Sequence, residues 1–318
     1  MESMEFTKKN LLSMKELDRK EIEMILETAD SMKEILTRPI KKVPTLQGKL
    51  IVNLFCEPST RTKSSFSLAI KRMSGDSMSI SKESSSFTKG ESLVDTARTL
   101  KALGADAVVI RHSAPGSPRL LADTLEIPVI NAGDGVHEHP TQSLLDLLTI
   151  QDNKGSLEDL DIAIIGDIKH SRVARSNIWG MKEMGANVRL IGPSTLMPEK
   201  IEDLGVEVHH RLKPGIKNAD VVYLLRIQME RQQTNFFPSL REYRENYGLR
   251  KRHLSNTASD CILLHPGPIN RGIEISPELA YGDLSFIERQ VSHGVAVRMA
   301  LLYLLVGGGE IKDEQNSA

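Results

Sequence analysis

Residues 50–63 read LIVNLFCEPSTRTK, an apolar run followed at once by a loop rich in hydroxyl groups. The run 50–55 predicts a buried strand. After the loop, apolar residues at helical spacing predict a helix that buries Phe66, Ala69, Ile70 and Met73. A strand–loop–helix turn directs the first N–H groups of the helix, and the positive end of its dipole, at whatever lies over the loop. The stretch therefore indicates an anion site in an α/β fold.

The loop itself carries the groups that an anion needs. Ser59, Thr60 and Thr62 offer hydroxyl donors, and Arg61 offers a guanidinium group whose shape suits a phosphate or a carboxylate. The Gly-x-x-x-x-Gly-Lys pattern of nucleotide-binding loops is absent, so a small phosphate compound fits better than a nucleotide. For this loop alone, the alternative is an ordinary Ser/Thr helix cap beside a surface arginine.

Outward from this stretch, predicted strands alternate with predicted helices along the whole chain. Further strands are expected at 77–81, 107–110, 128–130, 162–165, 188–191, 206–209, 221–225 and 261–264. Loops are expected directly after two of them, from Arg111 and His112 on and at 131–140. This alternation predicts doubly wound parallel sheets, and 318 residues exceed what one core usually serves. We expect two such sheets, joined around the helix after His139. The polar segment after Arg226 is expected to be a loop, with 230–247 as a mobile flap.

Composition narrows the class of protein. There are 41 Lys and Arg against 42 Asp and Glu, without a long run of either sign, which argues against a nucleic-acid or membrane partner. The N-terminus has no apolar signal segment, and the apolar run 299–306 is too short to span a bilayer. Cys56 and Cys261 lie in apolar contexts and are expected to be reduced core thiols. We expect a soluble, cytoplasmic protein.

Polar residues gather where the predicted strands end. They are Ser59 to Thr62, Arg111, His139, Arg172, Arg226 and Gln228. Ligands of such sheets lie beyond the C-terminal strand ends, so two rims facing across a cleft would form one site. Four arginines, Arg61, Arg111, Arg172 and Arg226, with Lys89 as a further candidate, suit a phosphate together with a dicarboxylate. The alternative is a set of ordinary solvated loops.

Several common catalytic patterns are missing from the sequence. It has no Gly-x-Gly-x-x-Gly fingerprint, no Walker lysine and no Gly-x-Ser-x-Gly elbow. His137 and His139 flank Glu138 without an evident third ligand, so we expect no metal site. We therefore expect a group transfer from a donor already activated as a phosphate compound, without a cofactor.

Seven spaced motifs carry a family resemblance. Those at 55–62, 89–92, 111–112, 139–142 and 265–268 together resemble the transcarbamylases, the aspartate/ornithine carbamoyltransferases. Those at 166–172 and 226–231 resemble the branch of this family that uses aspartate. The match runs in order from the first predicted helix to the last. It departs from the family pattern at Cys56, Lys63, Gly267 and residues 270–272, which bears on the loop after His265.

The resemblance implies an architecture and an assembly. We expect two doubly wound parallel-sheet domains joined by interdomain helices, with the C-terminal helix packing back on the first domain. The carbamoyl-phosphate-binding domain is expected at 1–140, completed by the helix 290–318, and the aspartate-binding domain at 141–289. Sites shared between the subunits of a homotrimer are also implied, while regulatory chains remain an open alternative.

The same resemblance implies an activity and its residues. The activity is transfer of the carbamoyl group of carbamoyl phosphate to L-aspartate, an early step of pyrimidine synthesis. Catalysis would fall to Arg61, Thr62, Arg111 and His139. Carbamoyl phosphate would be bound by these four with Ser59, Thr60 and Gln142, and with Ser85 and Lys89 from a neighbouring subunit. Aspartate would be bound by Lys89, Arg172, Arg226 and Gln228, and Pro266 and Gly267 are further candidates.

Two alternatives belong to other classes. Ornithine carbamoyltransferases share the phosphate half, but an ornithine site needs an acid for the side-chain ammonium, where this chain offers Arg226 and Gln228. A non-catalytic anion-binding paralogue could use the same arginines. It has no need of carbonyl-polarising donors, yet Thr62, Arg111 and His139 are all present.

Overall fold

The computed structural model describes residues 6–81, 91–227 and 239–307. Within these ranges the strands are Leu50–Phe55 (β1), Asp76–Ser81 (β2), Ala107–His112 (β3), Val129–Asp134 (β4), Asp161–Ile165 (β5), Asn187–Ile191 (β6), Glu207–His209 (β7), Val221–Leu224 (β8) and Ile262–Leu264 (β9). The helices are Arg19–Thr37 (α1), Thr60–Arg72 (α2), Leu93–Ala102 (α3), Ser117–Thr124 (α4), Pro140–Lys154 (α5), Arg172–Glu183 (α6), Leu212–Gly215 (α7), Leu240–Tyr247 (α8), Pro277–Ala280 (α9) and Ile287–Leu302 (α10). This is the predicted α/β class.

The described residues divide into two compact units. The first takes in Met1–Gly135, His139–Thr141 and His293–Ala318, and the second takes in Val136–Glu138 and Gln142–Ser292. The chain therefore passes from one unit to the other within α5 and returns within α10.

In the first unit, the described strands form a parallel sheet in the order β2-β1-β3-β4. The central strand β1 is buried from Ile51 to Phe55, as a parallel strand covered on both faces requires. The edge strand β2 is polar and half exposed. Phe66 of α2 is fully buried, which contributes about 1.5–3 kcal/mol to stability.

In the second unit, the described strands form a parallel sheet in the order β7-β6-β5-β8-β9. One buried cluster joins β5, β8 and the edge strand β9 through Ala163, Val222 and Leu263. The burial of β5, β8 and β9 explains why their sequences are continuously apolar and do not alternate between apolar and polar residues.

Helix α1 begins where its sequence predicts. The Asp18 carboxylate accepts from the backbone N–H of Glu21 at 2.9 Å, and the Glu21 carboxylate accepts from that of Asp18 at 3.0 Å. This reciprocal capping satisfies two N–H groups that the helix leaves without intrahelical partners.

The last helix packs back on the first unit, as expected from the resemblance. Arg298 of α10 donates to Ser65 Oγ of α2 at 2.9 Å, and its guanidinium carbon lies 5.1 Å from the centroid of the Phe66 ring. The span Ile287–Gly307 is long and apolar enough to cross a membrane by length and composition alone. Since 61% of its most apolar window is buried inside the protein, the composition matches that of an interior helix. The apolar segment is therefore longer than the run 299–306 on which the sequence prediction was based.

Two predicted loops are wrong because strands continue into them. Strand β3 includes Arg111 and His112, and β4 runs on to Asp134 through residues assigned to a loop. Polar residues can occupy this buried strand because their hydrogen bonds are internal. Asn131 Nδ2 donates to the Leu12 carbonyl at 2.8 Å and to Asp134 Oδ1 at 2.9 Å.

The loop predicted after Arg226 is wrong for Leu240–Tyr247, which form α8. Ser239 caps this helix by accepting from the Glu242 N–H at 3.1 Å, and Tyr243 is buried. Residues 230–238 of the predicted flap lie outside the described residues. Both cysteines are free, but Cys56 is only half-buried, whereas Cys261 is in the core.

Candidate active site

Each sheet contains one point where the winding of the chain reverses. In the first sheet, β2 and β3 flank β1, so the reversal lies between β1 and β3. In the second, β6 and β8 flank β5, so it lies between β5 and β8. Ligands of doubly wound sheets bind beyond the C-terminal strand ends at such points. Of the predicted site residues, Ser59 to Thr62 follow β1, Arg111 lies near the end of β3, and Arg172 and Arg226 follow β5 and β8.

At the first reversal point, the loop after β1 leads into the N-terminus of α2. Ser59 is the capping residue, yet its side chain makes no capping hydrogen bond among the described residues. Ser59 thus occupies the cap position without the hydrogen bond that an ordinary serine cap makes. Thr60 and Arg61 are exposed, whereas Thr62 is buried. The first turn of α2 thus keeps N–H groups for an anion.

Arg111 lies beside this loop. In the β1–β3 pairing it is opposite Phe55, and the Cys56 N–H donates to its carbonyl at 2.8 Å. Its Nη1 donates to the Ala132 carbonyl at 3.2 Å, and its Nε lies 3.4 Å from Glu57 Oε2. These contacts hold the guanidinium group in one orientation beside the N-terminus of α2. Glu57 lies in the motif at 55–62, but no role was predicted for it from the sequence.

His139 is buried immediately before α5 and belongs to the first unit. Two residues later, Thr141 Oγ1 accepts from Arg298 Nη2 at 3.4 Å, and the same guanidinium group donates to Ser65 of α2. Arg298 therefore ties the segment that carries His139 to the helix that carries Thr62. Sequence analysis did not find Arg298, whose partners Thr141 and Ser65 are 157 and 233 residues away.

At the second reversal point, the loop after β5 leads into α6. Arg172 is the first residue of α6 and is buried, and Ser171 caps the helix by accepting from the Ala174 N–H at 3.1 Å. Gly166 has φ +134°, and a Cβ there would come 2.9 Å from Leu225 Cβ. Only glycine permits this close approach of the β5 end to the β8 end.

The segment after β8 is held by a buried carboxyl group. Arg226 is half-buried. The next residue, Ile227, donates its N–H to Glu274 Oε1 at 3.1 Å, and Asn270 Nδ2 donates to the same oxygen at 2.8 Å. Glu274 is buried, and this burial raises the pKa of its carboxyl group to about 7. Glu274 therefore fixes the backbone next to Arg226.

Glu274→Gln is expected to change how stability depends on pH. The folded pKa of Glu274 is about 7, above its ordinary value of 4.5, so its contribution is fully present below pH 4.5 and is lost as pH rises through 7. Glutamine keeps the accepting oxygen and does not ionise. Urea titrations at pH 5 and pH 8 measure the free energy of unfolding. Between these pH values it should fall by about 2–3 kcal/mol more in wild type than in the variant. Parallel losses in both proteins would contradict this assignment.

A second buried network of hydrogen bonds links Gln142 to His265 in the loop after β9, through Asp146 and Gln290. Gln142, half-buried at the start of α5, donates through Nε2 to Asp146 Oδ1 at 2.9 Å. After β9, Gly267 donates its N–H to His265 Nδ1 at 2.8 Å, and the His265 N–H donates to Gln290 Oε1 at 2.9 Å. Pro266 and Gly267 are half-buried.

The predicted site residues are divided between the two units. Ser59, Thr60, Arg61, Thr62, Arg111 and His139 belong to the first unit, and Gln142, Arg172, Arg226, Pro266 and Gly267 to the second. The predicted residues Ser85, Lys89 and Gln228 lie outside the described residues. Within the described ranges, no group of three or more His, Cys, Asp or Glu could hold a metal ion.

Comparison with known proteins assigns the family. The aspartate/ornithine carbamoyltransferase carbamoyl-P binding domain matches residues 9–152, and the Asp/Orn binding domain matches residues 158–305. The aspartate carbamoyltransferase catalytic subunit of Halothermothrix orenii is 58% identical over 311 residues, 98% of this chain and 99% of that protein. The chain belongs to the aspartate/ornithine carbamoyltransferase family.

Solved structures of this family share the fold. Aspartate transcarbamoylase from Trypanosoma cruzi, in complex with carbamoyl phosphate and aspartate, matches with a TM-score of 0.85 and 30% identity over 95% of this chain and 98% of that one. Ornithine carbamoyltransferase from Pyrococcus furiosus matches with the same TM-score and 26% identity over 96% and 100%. Within the family, the fold therefore does not distinguish aspartate from ornithine as the acceptor.

Proposed function

We infer that this protein transfers the carbamoyl group of carbamoyl phosphate to the amino group of L-aspartate, giving N-carbamoyl-L-aspartate and phosphate. The observation that carries this conclusion is the 58% identity over 98% of the chain with a relative named as an aspartate carbamoyltransferase catalytic subunit. The protein is thus a transferase of one-carbon groups, and its product places it in pyrimidine synthesis.

In this proposal each domain binds mainly one substrate, and Gln142 of the second unit also contacts carbamoyl phosphate. Residues 1–140, completed by 290–318, bind carbamoyl phosphate, and residues 141–289 bind aspartate. The exposed first turn of α2, with Arg61 and Thr62, takes the phosphate, and Arg111 lies beside it through its contact with Glu57. Arg172 and Arg226, which follow the two strands at the second reversal point, bind the carboxylates of aspartate.

The chemistry needs no protein nucleophile. The deprotonated amino group of aspartate attacks the carbamoyl carbon, forming a C–N bond and a tetrahedral intermediate. Thr62, Arg111 and His139 donate to the carbonyl oxygen, on which negative charge develops. The C–O bond to phosphate then breaks, and the departing phosphate accepts the proton of the amine. Holding two mutually repelling anions together supplies much of the acceleration.

The acceptor is chosen by charge. A rim that carries Arg172 and Arg226 attracts the second carboxylate of aspartate and repels the side-chain ammonium of ornithine. A buried guanidinium group such as that of Arg172 adds to this preference because water screens it poorly.

We further propose a cytoplasmic homotrimer in which Ser85 and Lys89 enter the site of a neighbouring subunit. The motif at 89–92, which resembles that of the family, supports the shared site, and two free cysteines suit a reducing compartment. The mass of the native assembly tests the trimer, and regulatory chains would appear as additional mass in the protein purified from its source.

An acceptor assay tests the reaction. Purified protein is given carbamoyl phosphate with L-aspartate or with L-ornithine, and carbamoylated product and phosphate are both measured. We expect carbamoyl aspartate and phosphate in equal amounts and at least 10³-fold less product with ornithine, roughly the discrimination that unpaired charges impose. Carbamoylation of ornithine in preference would reassign the acceptor, and the absence of product with either would indicate a non-catalytic binding protein.

A further inference from the structure

A buried carboxylate lies at the centre of the network in the second unit that includes Gln142. Asp146 is fully buried and accepts four hydrogen bonds. Its Oδ1 accepts from Gln142 at 2.9 Å and from Gln290 at 2.7 Å, and its Oδ2 accepts from Tyr223 Oη at 2.6 Å and from Asn177 at 3.0 Å. An ionised carboxylate has about four acceptor positions, so all of them are used.

One of these four donors has only one possible orientation. Gln290 accepts from the His265 backbone N–H through Oε1, and a backbone N–H can only donate. Gln290 must therefore turn its amide nitrogen to Asp146, which must accept. The carboxyl oxygen that Gln142 shares with Gln290 is accordingly an acceptor, and Gln142 must also present its nitrogen there.

Gln142 is the member of this network that is half-buried rather than enclosed. A glutamine amide that is free to rotate can offer either its nitrogen or its oxygen to a ligand. When Nε2 of Gln142 donates to Asp146, the carbonyl oxygen Oε1 lies on the side of the amide away from Asp146. A carbamoyl group carries an NH2 donor, and a carbonyl oxygen is the partner that this donor needs.

We propose that Asp146 is a positioning residue that fixes the orientation of the Gln142 amide, so that its carbonyl oxygen accepts from the carbamoyl NH2 group of the substrate. This inference rests on the proposed function, in which Gln142 contacts carbamoyl phosphate. It deepens that function by explaining how the site distinguishes carbamoyl phosphate from phosphate compounds without an NH2 group.

Burying the Asp146 carboxylate costs free energy, and a role in orienting Gln142 would account for that cost. Burial raises the pKa of Asp146 to about 6, although all four hydrogen bonds favour its charged form. Replacing buried charges by well-packed apolar residues is often neutral or stabilising, so stability alone explains this carboxylate poorly. A carboxylate, unlike an amide or a hydroxyl, can only accept when ionised, which is the property that orients Gln142.

The test compares two ligands on the assembled protein. The affinities of carbamoyl phosphate and inorganic phosphate are measured by calorimetry for wild type, Asp146→Ala and Asp146→Asn. Asp146→Ala is expected to weaken carbamoyl phosphate binding about tenfold, the value of one hydrogen bond, and phosphate binding less than twofold. Asp146→Asn is expected to restore only part of the preference, because its amide can turn either its oxygen or its nitrogen to the two glutamines.

Three comparisons make the result specific. Tyr223→Phe removes a donor from the other carboxylate oxygen and should leave the ratio of the two affinities unchanged. In a Gln142→Met background, Asp146→Ala should have no further effect on this ratio. If Asp146→Ala does not fold, Asp146→Ser, which leaves room for a water molecule, tests the same loss of carbamoyl phosphate affinity.

Two outcomes would overturn the inference while leaving the proposed function intact. One is a ratio that stays within twofold of wild type in Asp146→Ala and Asp146→Ser. The other is an equal loss of both ligands, which would indicate a structural role only. Wild-type protein that binds phosphate but shows no preference for carbamoyl phosphate would overturn both.

Discussion

Arg111→Met is expected to lower kcat for carbamoylation of aspartate by about 10²–10³-fold, the usual loss when one donor to a developing oxyanion is removed. The guanidinium group is held by the Ala132 carbonyl and by Glu57, so in wild type it needs no reorganisation when charge appears on the carbonyl oxygen. Methionine keeps most of the side-chain volume and removes all of the donors. Initial rates at saturating concentrations of both substrates measure the effect.

Arg119→Met is the matched control for this variant. Arg119 belongs to the same unit, is exposed on α4 and pairs with Glu16 on the surface. Exposed ion pairs of this kind contribute about 0–1 kcal/mol to stability and should not affect kcat. If Arg111→Met stayed within fivefold of Arg119→Met, the polarising role of Arg111 would have to be abandoned.

Much of this site follows from local patterns in the sequence. Arg111, Arg172 and Arg226 all follow apolar runs, and a residue that follows a parallel strand lies at the edge where ligands bind. The loop after β1 was recognised in the same way, from a strand and a helix on either side. In each case, the strand that positions the backbone is close along the chain, whereas the contacts that orient the side chain, such as Arg111 with the Ala132 carbonyl, are more distant.

The residues that the sequence did not reveal are those whose partners are distant along the chain. Arg298 contacts Ser65 across 233 residues, and Asp146 accepts from Gln290 across 144. In the sequence, Asp146 is one of two acidic residues in α5, and only Gln142 of its four donors is nearby along the chain. The order of the strands in each sheet depends on contacts of the same kind. Such contacts arise from the packing of the whole unit and leave no periodic signal.

Errors at the element ends have a related cause. Asn131 and Asp134 are polar residues that usually indicate a loop, and they were assigned to one. In the structure they satisfy one another and the Leu12 carbonyl inside β4. The local rule failed because buried partners can compensate a polar residue in a strand.

Arg226→Met is expected to lower kcat/KM for aspartate by about 10²–10³-fold and to leave the binding of carbamoyl phosphate unchanged. A charge-assisted pair between guanidinium and carboxylate is worth about 2–5 kcal/mol when one partner is truncated, and about 1.4 kcal/mol corresponds to a factor of ten. Because Ile227 and Asn270 are both bound to Glu274, the backbone after Arg226 should keep its place in the variant. The loss should therefore appear in aspartate affinity and not in folding.

The comparison with Arg111→Met separates the two substrates. Arg226 lies in the second unit and Arg111 in the first, so Arg226→Met should mainly raise KM for aspartate, whereas Arg111→Met should mainly lower kcat. Arg211→Met, an exposed arginine of the second unit, serves as the control and should match wild type. A fall in carbamoyl phosphate affinity in Arg226→Met, with aspartate KM unchanged, would mean that this arginine serves the phosphate, and the proposed division of labour between the units would be wrong.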